Sequence, residues 1–295
     1  GVHTLACDAV QRFGSPGLKE ELLPALLAGQ RFGAYALTEA SSGSDAAALR
    51  TKAEADAAGN HYRLTGRKQF CTRGGEADVV LVMARTGGPG PKGISAFLVD
   101  RVTAGFTPSR VESKMGWRSS PTWELLLDDC AVPSHRLLAE EGNGFAIAMA
   151  ALDAGRLGIA AVSIGLAQAA LDAAAGYARQ REQFGAPIAT QQGIQFILAD
   201  MATRIEAGRA LYRRAAELKD AGAAYSPQAS MAKLFCSDTA MAVTTDAVQV
   251  FGGYGYVADY PVERYLREAK ALQIVEGTNQ IQRMIIGRQL GGNTR

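Results

Sequence analysis

The chain has 295 residues, 47% of them apolar, which is enough for one large domain or for two or three smaller packed units. Its 31 Lys and Arg nearly balance its 29 Asp and Glu, and this charge argues against a nucleic-acid partner, because phosphates attract strongly basic surfaces. Four widely spaced cysteines and three scattered histidines argue against a metal site, a secreted disulfide framework and a histidine-based triad.

Residues 1–31 have a helical pattern that Pro24 interrupts and Gly29 closes, and we interpret them as the tail of an α-helical unit. The chain begins Gly1-Val2-His3, without a methionine, and goes directly into this pattern. We therefore expect the natural protein to have a further N-terminal stretch, which could include a targeting segment.

The second segment, residues 32–140, alternates short strand-like runs with turn signals such as Ala58-Gly59-Asn60. This alternation predicts a central β domain, either a small barrel or a sandwich. The predicted strands are Gly33–Thr38, Lys52–Asp56, His61–Thr65, Val79–Arg85, Ile94–Asp100, Thr107–Glu112 and Glu124–Leu127.

The third segment, residues 141–295, returns to long amphipathic patterns, which predict an antiparallel bundle of four or five helices. Its most apolar stretch, Phe145–Ala178, contains Asp153, Arg156 and Asp172, so we interpret it as a buried helix and not as a membrane span. The three segments together predict an α+β fold.

Glu276 follows an apolar run and precedes Gly277-Thr278. Thr278 has the properties of an N-cap for a last helix, Asn279–Leu290. A half-desolvated glutamate beside a glycine could have a raised pKa and act as a base. The other reading is a solvated acidic residue at a helix N-terminus, and this stretch alone favours that reading, because most charged residues beside helix ends are only that.

Six other stretches could bind a ligand or could be purely structural. The hydroxyl-rich loop TEASSGSD, residues 38–45, could receive an anion or be an ordinary polar loop. Phe70 and Thr72 alternate with Cys71, so on a strand they would share one face, where they could hold a planar ring or join the core. Asp153 and Arg156 share a helix face, where they could pair or meet a phosphate-bearing ligand. The stretches are TEASSGSD, KQFCTRGG (68–75), GWRSSPT (116–122), LDAGRLG (152–158), REQFG (181–185) and QVFGGYGY (249–256).

In set, order and spacing, these stretches and IVEGTNQIQR (274–283) resemble the successive signatures of the acyl-CoA dehydrogenase family. The resemblance covers Tyr35 to Arg288 and is closest to short- and medium-chain members, which carry the catalytic glutamate in a C-terminal EGT stretch. It implies the end of an N-terminal helical domain at 1–31, a central β barrel or sandwich domain at 32–140, and a C-terminal four-helix bundle at 141–295.

The resemblance also implies an activity: oxidation of an acyl-CoA thioester to its trans-2-enoyl product in fatty acid metabolism. It implies FAD as a non-covalent cofactor, electron-transferring flavoprotein as the electron acceptor, and a homotetramer or, as in some members, a dimer. We expect no metal, nucleic-acid or membrane partner. The expected location is the cytoplasm for a bacterial chain or the mitochondrial matrix for a eukaryotic one.

By this resemblance Glu276 is the general base, since the position that some members use instead is Gly155 here. Phe70 stands where tryptophan is more common, and Val275 stands where many members have tyrosine. The positions implied for the thioester and CoA path are Ser44, Asp153, Arg156 and Gly277. The implied FAD contacts are Tyr35, Leu37, Thr38, Gly43, Ser44, Phe70, Thr72, Arg181, Phe184, Gln191, Gln192, Gln249, Gly252, Gly253, Thr278 and Gln280.

Two other functions stay open at this stage. One is an acyl-CoA oxidase-like flavoenzyme, which rapid reaction of its reduced flavin with oxygen would identify. The other is a truncated, catalytically silent binding subunit, which would lack bound FAD.

Overall fold

The computed structural model describes residues 1–292. They form two compact units, one of residues 1–155 and one that begins at Arg156. The boundary falls inside one long helix, α3, which spans Gly144–Gln180. The first unit combines two helices with a β-sheet, and the second is almost entirely helical.

The first unit begins with helices α1 (Val2–Phe13) and α2 (Pro16–Leu27). The Ser15 hydroxyl caps α2 by accepting a hydrogen bond from the Leu18 N–H at 3.3 Å. Pro24, which interrupts the helical pattern of the sequence, lies inside α2 and does not end it. Both helices bury their apolar faces in one core with sheet residues such as Leu81 and Leu98.

All eight strands of this unit belong to one mixed sheet, in the order β6-β7-β3-β2-β4-β5-β8, with β1 parallel to β4. The central strand β4 is buried along nearly its whole length, as its unbroken apolar sequence requires. The strands are β1 Gly33–Ala36, β2 Lys52–Ala55, β3 His61–Thr72, β4 Val79–Arg85, β5 Ile94–Asp100, β6 Phe106–Val111, β7 Thr122–Pro133 and β8 Leu137–Leu138.

The structure confirms each predicted strand and adds the short β8. Strands β3 and β7 are longer than predicted, because they pair with each other along their length across two irregularities, one after Leu64 and one between Lys68 and Cys71. The sequence pattern loses its alternation at these bulges, which explains why the prediction stopped short at Thr65.

A buried ion pair fixes the loop after β1 to strand β3. The Lys68 ammonium, 0% exposed, donates to Glu39 Oε1 at 2.8 Å and to the Leu37 carbonyl at 3.1 Å. Glu39 also accepts hydrogen bonds from the backbone N–H groups of Arg50 and Thr51, at 2.7 and 2.9 Å. Burial opposes ionisation of Glu39, but the Lys68 charge and these donors hold its pKa below the ordinary value.

The second unit contains the rest of α3 and four further helices. Helix α5 packs against α4, α6 and α7. The last helix has the predicted bounds, and the Thr278 hydroxyl caps it by accepting from the Ile281 N–H at 3.3 Å. The elements are a hairpin of β9 (Glu182–Gln183) and β10 (Ala186–Pro187), then α4 Gln192–Asp220, α5 Ser226–Phe251, α6 Val262–Leu272 and α7 Asn279–Leu290.

Helix α3 is the one helix of residues 1–292 that is long and apolar enough, by length and composition, to cross a membrane. Core helices of soluble proteins pass the same test. The helix also contains Arg156, which is only 3% exposed.

The Lys68–Glu39 pair generates a stability prediction. We expect Glu39→Gln to lower the unfolding free energy by about 3 kcal/mol, because it leaves a buried ammonium without its counter-charge. The matched control is Glu76→Gln, which breaks the exposed Arg73–Glu76 pair, with side chains 47% and 41% exposed, and should change stability by less than about 0.5 kcal/mol. Urea denaturation of both variants checks this, and equal effects would contradict it.

Candidate functional site

Glu276 lies in the turn between α6 and α7, in an unusual backbone conformation. Its φ is +54°, and Gly277 follows with φ +91°. Two consecutive left-handed residues, the first of them not glycine, are strained and persist only where their surroundings hold them. A Cβ at position 277 would lie 2.8 Å from Gln282 Nε2, so glycine also fits a close contact there.

Two buried donors hold this turn by the Gly277 carbonyl. Lys233 Nζ, on α5, and Gln282 Nε2, on α7, each donate to it at 2.9 Å. Both side chains are 0% exposed. Lys233 Nζ also donates to Asn279 Oδ1 at 2.8 Å, so one ammonium connects α5 to the turn and to the first residue of α7.

Asn279 extends this attachment into a polar network that runs from the buried Ser237 to the half-buried Asp238 and the exposed Arg283. Its side-chain amide donates to Ser237 Oγ at 2.9 Å and to Asp238 Oδ1 at 2.7 Å. Asp238 accepts further bonds from Gln273 Nε2 at 2.7 Å and from Arg283 Nη2 at 3.1 Å. The network therefore joins α5, the end of α6 and the start of α7 around the residue that carries the carboxylate.

The Glu276 carboxyl is placed in a poorly solvated position. Its Oε2 is buried and has no hydrogen-bond partner in the part of the chain that the structure describes. Burial raises the pKa of Glu276 to about 7, and the positive charges of Arg156 and Lys233 act in the opposite direction. Within residues 1–292, the Glu276 N–H donates to no backbone carbonyl either. Both groups are thus available to a ligand.

Sequence reasoning missed Lys233. It lies in an otherwise nearly apolar run, ASMAKLFC, residues 229–236, and such a lysine usually extends its ammonium to solvent. Burial lowers its pKa to about 8, and the nearby Glu276 carboxylate acts in the opposite direction. A charged residue inside an apolar helical stripe was the available signal, but its partners lie more than forty residues along the chain.

In the first unit, the stretches predicted to contact FAD meet at the end of β1. Tyr35 lies on β1, Leu37 is buried, and Thr38 accepts through its carbonyl from the Gln69 N–H at 2.8 Å. Gly43 and Ser44 lie on the exposed surface of the following loop. The structure thus places TEASSGSD beside KQFCTRGG.

Phe70 lies in the second β3 bulge with φ +55° and is 61% exposed. Thr72 ends β3 two residues later. The strained bulge directs this aromatic side chain outward, where it could cover a flat ligand, whereas a core role would have buried it. Cys71, which lies between them, is buried, so the predicted alternation of Phe70 and Thr72 with Cys71 is retained at the end of β3. Their contact with a ligand stays a prediction.

In the second unit, some of the residues predicted to contact FAD lie at one open pocket of about 1000 Å³. Arg181, Gly252 and Gly253 line it, and the Arg181 guanidinium lies 5.5 Å from the centre of the Tyr254 ring. Phe184 forms the tip of the β9–β10 hairpin, with φ +54° and 96% exposure. Gln191 and Gln192 begin α4, and Gln249 lies in the last turn of α5.

Thr278 and Gln280 line a second, smaller pocket of about 310 Å³ together with Lys270 and Arg283. The pocket opens beside the N-terminus of α7, which favours anionic groups. Of the predicted substrate positions, Asp153 is half-buried on α3, Arg156 is buried on the same helix, and Gly277 lies in the turn. No group of three His, Cys, Asp or Glu side chains suited to a metal occurs among residues 1–292.

Comparison with known proteins decides the family. The family models for the acyl-CoA dehydrogenase middle domain and C-terminal domain match residues 34–130 and 142–291. An acyl-CoA dehydrogenase of Bacillus subtilis (strain 168) is 51% identical over 295 residues, which cover 99% of this chain and 77% of that protein. The chain belongs to the acyl-CoA dehydrogenase family. The expected fold and family are confirmed.

Solved structures agree with this membership. Butyryl-CoA dehydrogenase from Megasphaera elsdenii matches with a TM-score of 0.96 and 46% identity, over 98% of this chain and 76% of that one. A chain in the structure of electron transferring flavoprotein of Acidaminococcus fermentans matches with a TM-score of 0.95 and 49% identity, over 96% and 74%. Acyl-CoA dehydrogenases are FAD-dependent oxidoreductases, so the family assignment also confirms the expected enzyme class.

The raised pKa of Glu276 generates a stability prediction for Glu276→Gln. Because the folded-state pKa, about 7, exceeds the unfolded value of about 4.5, the folded protein loses stability as the pH rises between these values. The amide cannot ionise, so the variant should be more stable than the parent above pH 7, by on the order of 2 kcal/mol, and similar to it near pH 4.5. Urea denaturation across this range checks it.

The control for that measurement is Glu217→Gln, on the exposed surface of α4 beside Arg214. It should leave the pH dependence of stability close to that of the parent. If Glu276→Gln behaves in the same way as this control, the carboxyl of Glu276 is not desolvated as described.

Proposed function

We propose that this chain is an FAD-dependent acyl-CoA dehydrogenase in which Glu276 removes the α-proton of an acyl-CoA thioester. The observation that carries the proposal is the Glu276 carboxylate, whose buried Oε2 has no protein partner in the described residues and whose pKa is raised to about 7. A general base is most effective when its pKa lies near the working pH, and an unpartnered carboxylate can accept a proton directly.

The backbone supports the same reaction. Loss of an α-proton places negative charge on the thioester carbonyl oxygen, and a fixed N–H donor stabilises that charge. The Glu276 N–H has no backbone acceptor in the described part, and the turn that carries it is held by Lys233 and Gln282. A single strained residue would thus supply the base and one oxyanion donor.

The residues present fit FAD. In the first unit, the outward-facing Phe70 and the hydroxyls of Thr38 and Thr72 suit a flat, hydrogen-bonding ring. In the second unit, Arg181 and Tyr254 line an open pocket of a size suited to the charged and aromatic parts of a nucleotide. When bound, FAD would supply a hydride acceptor at its N5, so that loss of the β-hydrogen gives the trans-2-enoyl thioester.

The substrate, partner and setting of this chain are part of the proposal. Butyryl-CoA is the first thioester to test, because butyryl-CoA dehydrogenase is among the chain's similar structures. Similarity to a chain in an electron transferring flavoprotein structure supports that flavoprotein as the electron acceptor. A homotetramer or dimer, and a cytoplasmic or mitochondrial-matrix location, remain predictions.

Anaerobic titration with acyl-CoA esters of increasing length, followed by flavin absorbance, tests the function directly. Bleaching by one length class would establish the cofactor, the reaction and the substrate range together. Rapid reoxidation by oxygen would favour the oxidase alternative. A colourless protein that FAD cannot reconstitute would favour the silent binding subunit.

Glu276→Gln should retain bound FAD and thioester binding but slow flavin reduction by about 10²–10⁴-fold, because the amide cannot accept the proton. Stopped-flow absorbance under anaerobic conditions measures this rate. Glu217→Gln serves as the control and should reduce its flavin at the parent rate. Near-parent reduction in Glu276→Gln would remove Glu276 from the proposed role.

The rate of flavin reduction should rise with pH through about 7 and level off above it, because only the ionised Glu276 can act as the base. The same stopped-flow experiment, repeated from pH 5.5 to 9 at saturating thioester, checks this profile. A rate that is constant across this range would show that the base titrates elsewhere or that proton removal does not limit the rate.

A further inference from the structure

Lys233 is a buried charged residue of the second unit that the proposed reaction does not use directly. Its ammonium makes two charge-assisted hydrogen bonds, to the Gly277 carbonyl at 2.9 Å and to Asn279 Oδ1 at 2.8 Å. Its side chain is 0% exposed, on a helix whose neighbouring positions are mainly apolar. Burying an ammonium has a large desolvation cost, so an apolar residue would serve packing alone at least as well.

The position of these bonds indicates what the ammonium does. Gly277 follows Glu276 directly, and both residues are left-handed. A backbone strained in this way persists only where the surrounding contacts hold it. Two donors from different helices, Lys233 on α5 and Gln282 on α7, hold the carbonyl in one direction. Fixing this peptide fixes the orientation of residue 276.

We propose that Lys233 is a positioning residue for Glu276: by holding the Gly277 carbonyl and Asn279, it fixes the turn that directs the Glu276 carboxylate and N–H toward the thioester. This proposal rests on the proposed dehydrogenase function. Lys233 acts through the turn and does not itself touch the substrate.

The charge of Lys233 has a second effect, on the acidity of the base. The charged groups of this unit that act on the pair are Arg156 on α3 and Asp238 on α5. Lys233 and Arg156 both lower the pKa of Glu276, against the larger effect of burial. Removing the ammonium should therefore raise the pKa of the base as well as loosen the turn.

The decisive variant is Lys233→Met, which keeps the length and apolar stem of the side chain but removes the charge and both donors. We expect it to retain FAD and a similar thioester KM, to reduce its flavin about 10²-fold more slowly, and to shift the pH profile of that rate upward. A merely structural role would lower stability without moving the kinetic pKa. A parent rate and an unshifted profile would overturn the proposal.

Gln282→Met separates positioning from charge, because it removes the other donor to the Gly277 carbonyl and leaves Lys233 in place. It should slow flavin reduction without shifting the pH profile of that rate upward, because the charge of Lys233 remains. It also keeps the proposal testable if Lys233→Met fails to fold, since a parent rate in Gln282→Met would then overturn it. The control is Lys219→Met, at an exposed lysine in the last turn of α4, and it should match the parent.

Failure of this proposal is distinguishable from failure of the proposed function. If no thioester bleaches the parent flavin, or if Glu276→Gln keeps the parent rate, the dehydrogenase assignment fails first. If Glu276→Gln slows reduction as expected while Lys233→Met and Gln282→Met keep the parent rate and profile, only the positioning role fails.

Discussion

The contact between the buried Lys233 ammonium and the Gly277 carbonyl is the interaction on which the candidate site depends. An ammonium in a poorly solvated interior must find acceptors, and a carbonyl in a strained turn must find donors, so each supplies what the other lacks. The first unit contains a similar contact between a buried ammonium and a backbone carbonyl. There Lys68, also fully buried, donates to the Leu37 carbonyl and to Glu39, and so fixes the loop after β1.

In both units the buried lysine lies close to a residue in the left-handed conformation. Phe70 follows Lys68 within the bulge of β3, and Glu276 precedes the carbonyl that Lys233 holds. Trp117 and Phe184, in two more of the family stretches, share that conformation. The left-handed backbone directs each of these side chains differently from a residue in a regular helix or strand. Such strained backbone persists only where the surrounding contacts hold it.

Local patterns predicted the elements of the fold well. Alternation and turn residues located the strands, and the Thr278 cap located the start of α7 correctly, because these signals act over a few residues. The β3 bulge at Phe70 was not predictable, since it depends on the register of pairing with β7. Lys233 was missed for the same reason, because its acceptors come from the distant α6–α7 turn.

The arrangement around Glu276 balances two requirements that oppose each other. Desolvation alone would make the carboxyl a stronger base but would also keep it protonated, and therefore inactive, at neutral pH. A nearby fixed cation lowers the pKa, and Lys233 and Arg156 both act in this direction against the larger effect of burial. Because Lys233 donates hydrogen bonds to the Gly277 carbonyl and to Asn279, it lowers the pKa of Glu276 through its charge without occupying the carboxylate oxygens. Glu276 Oε2 therefore stays free of protein partners within the described residues, as proton abstraction requires.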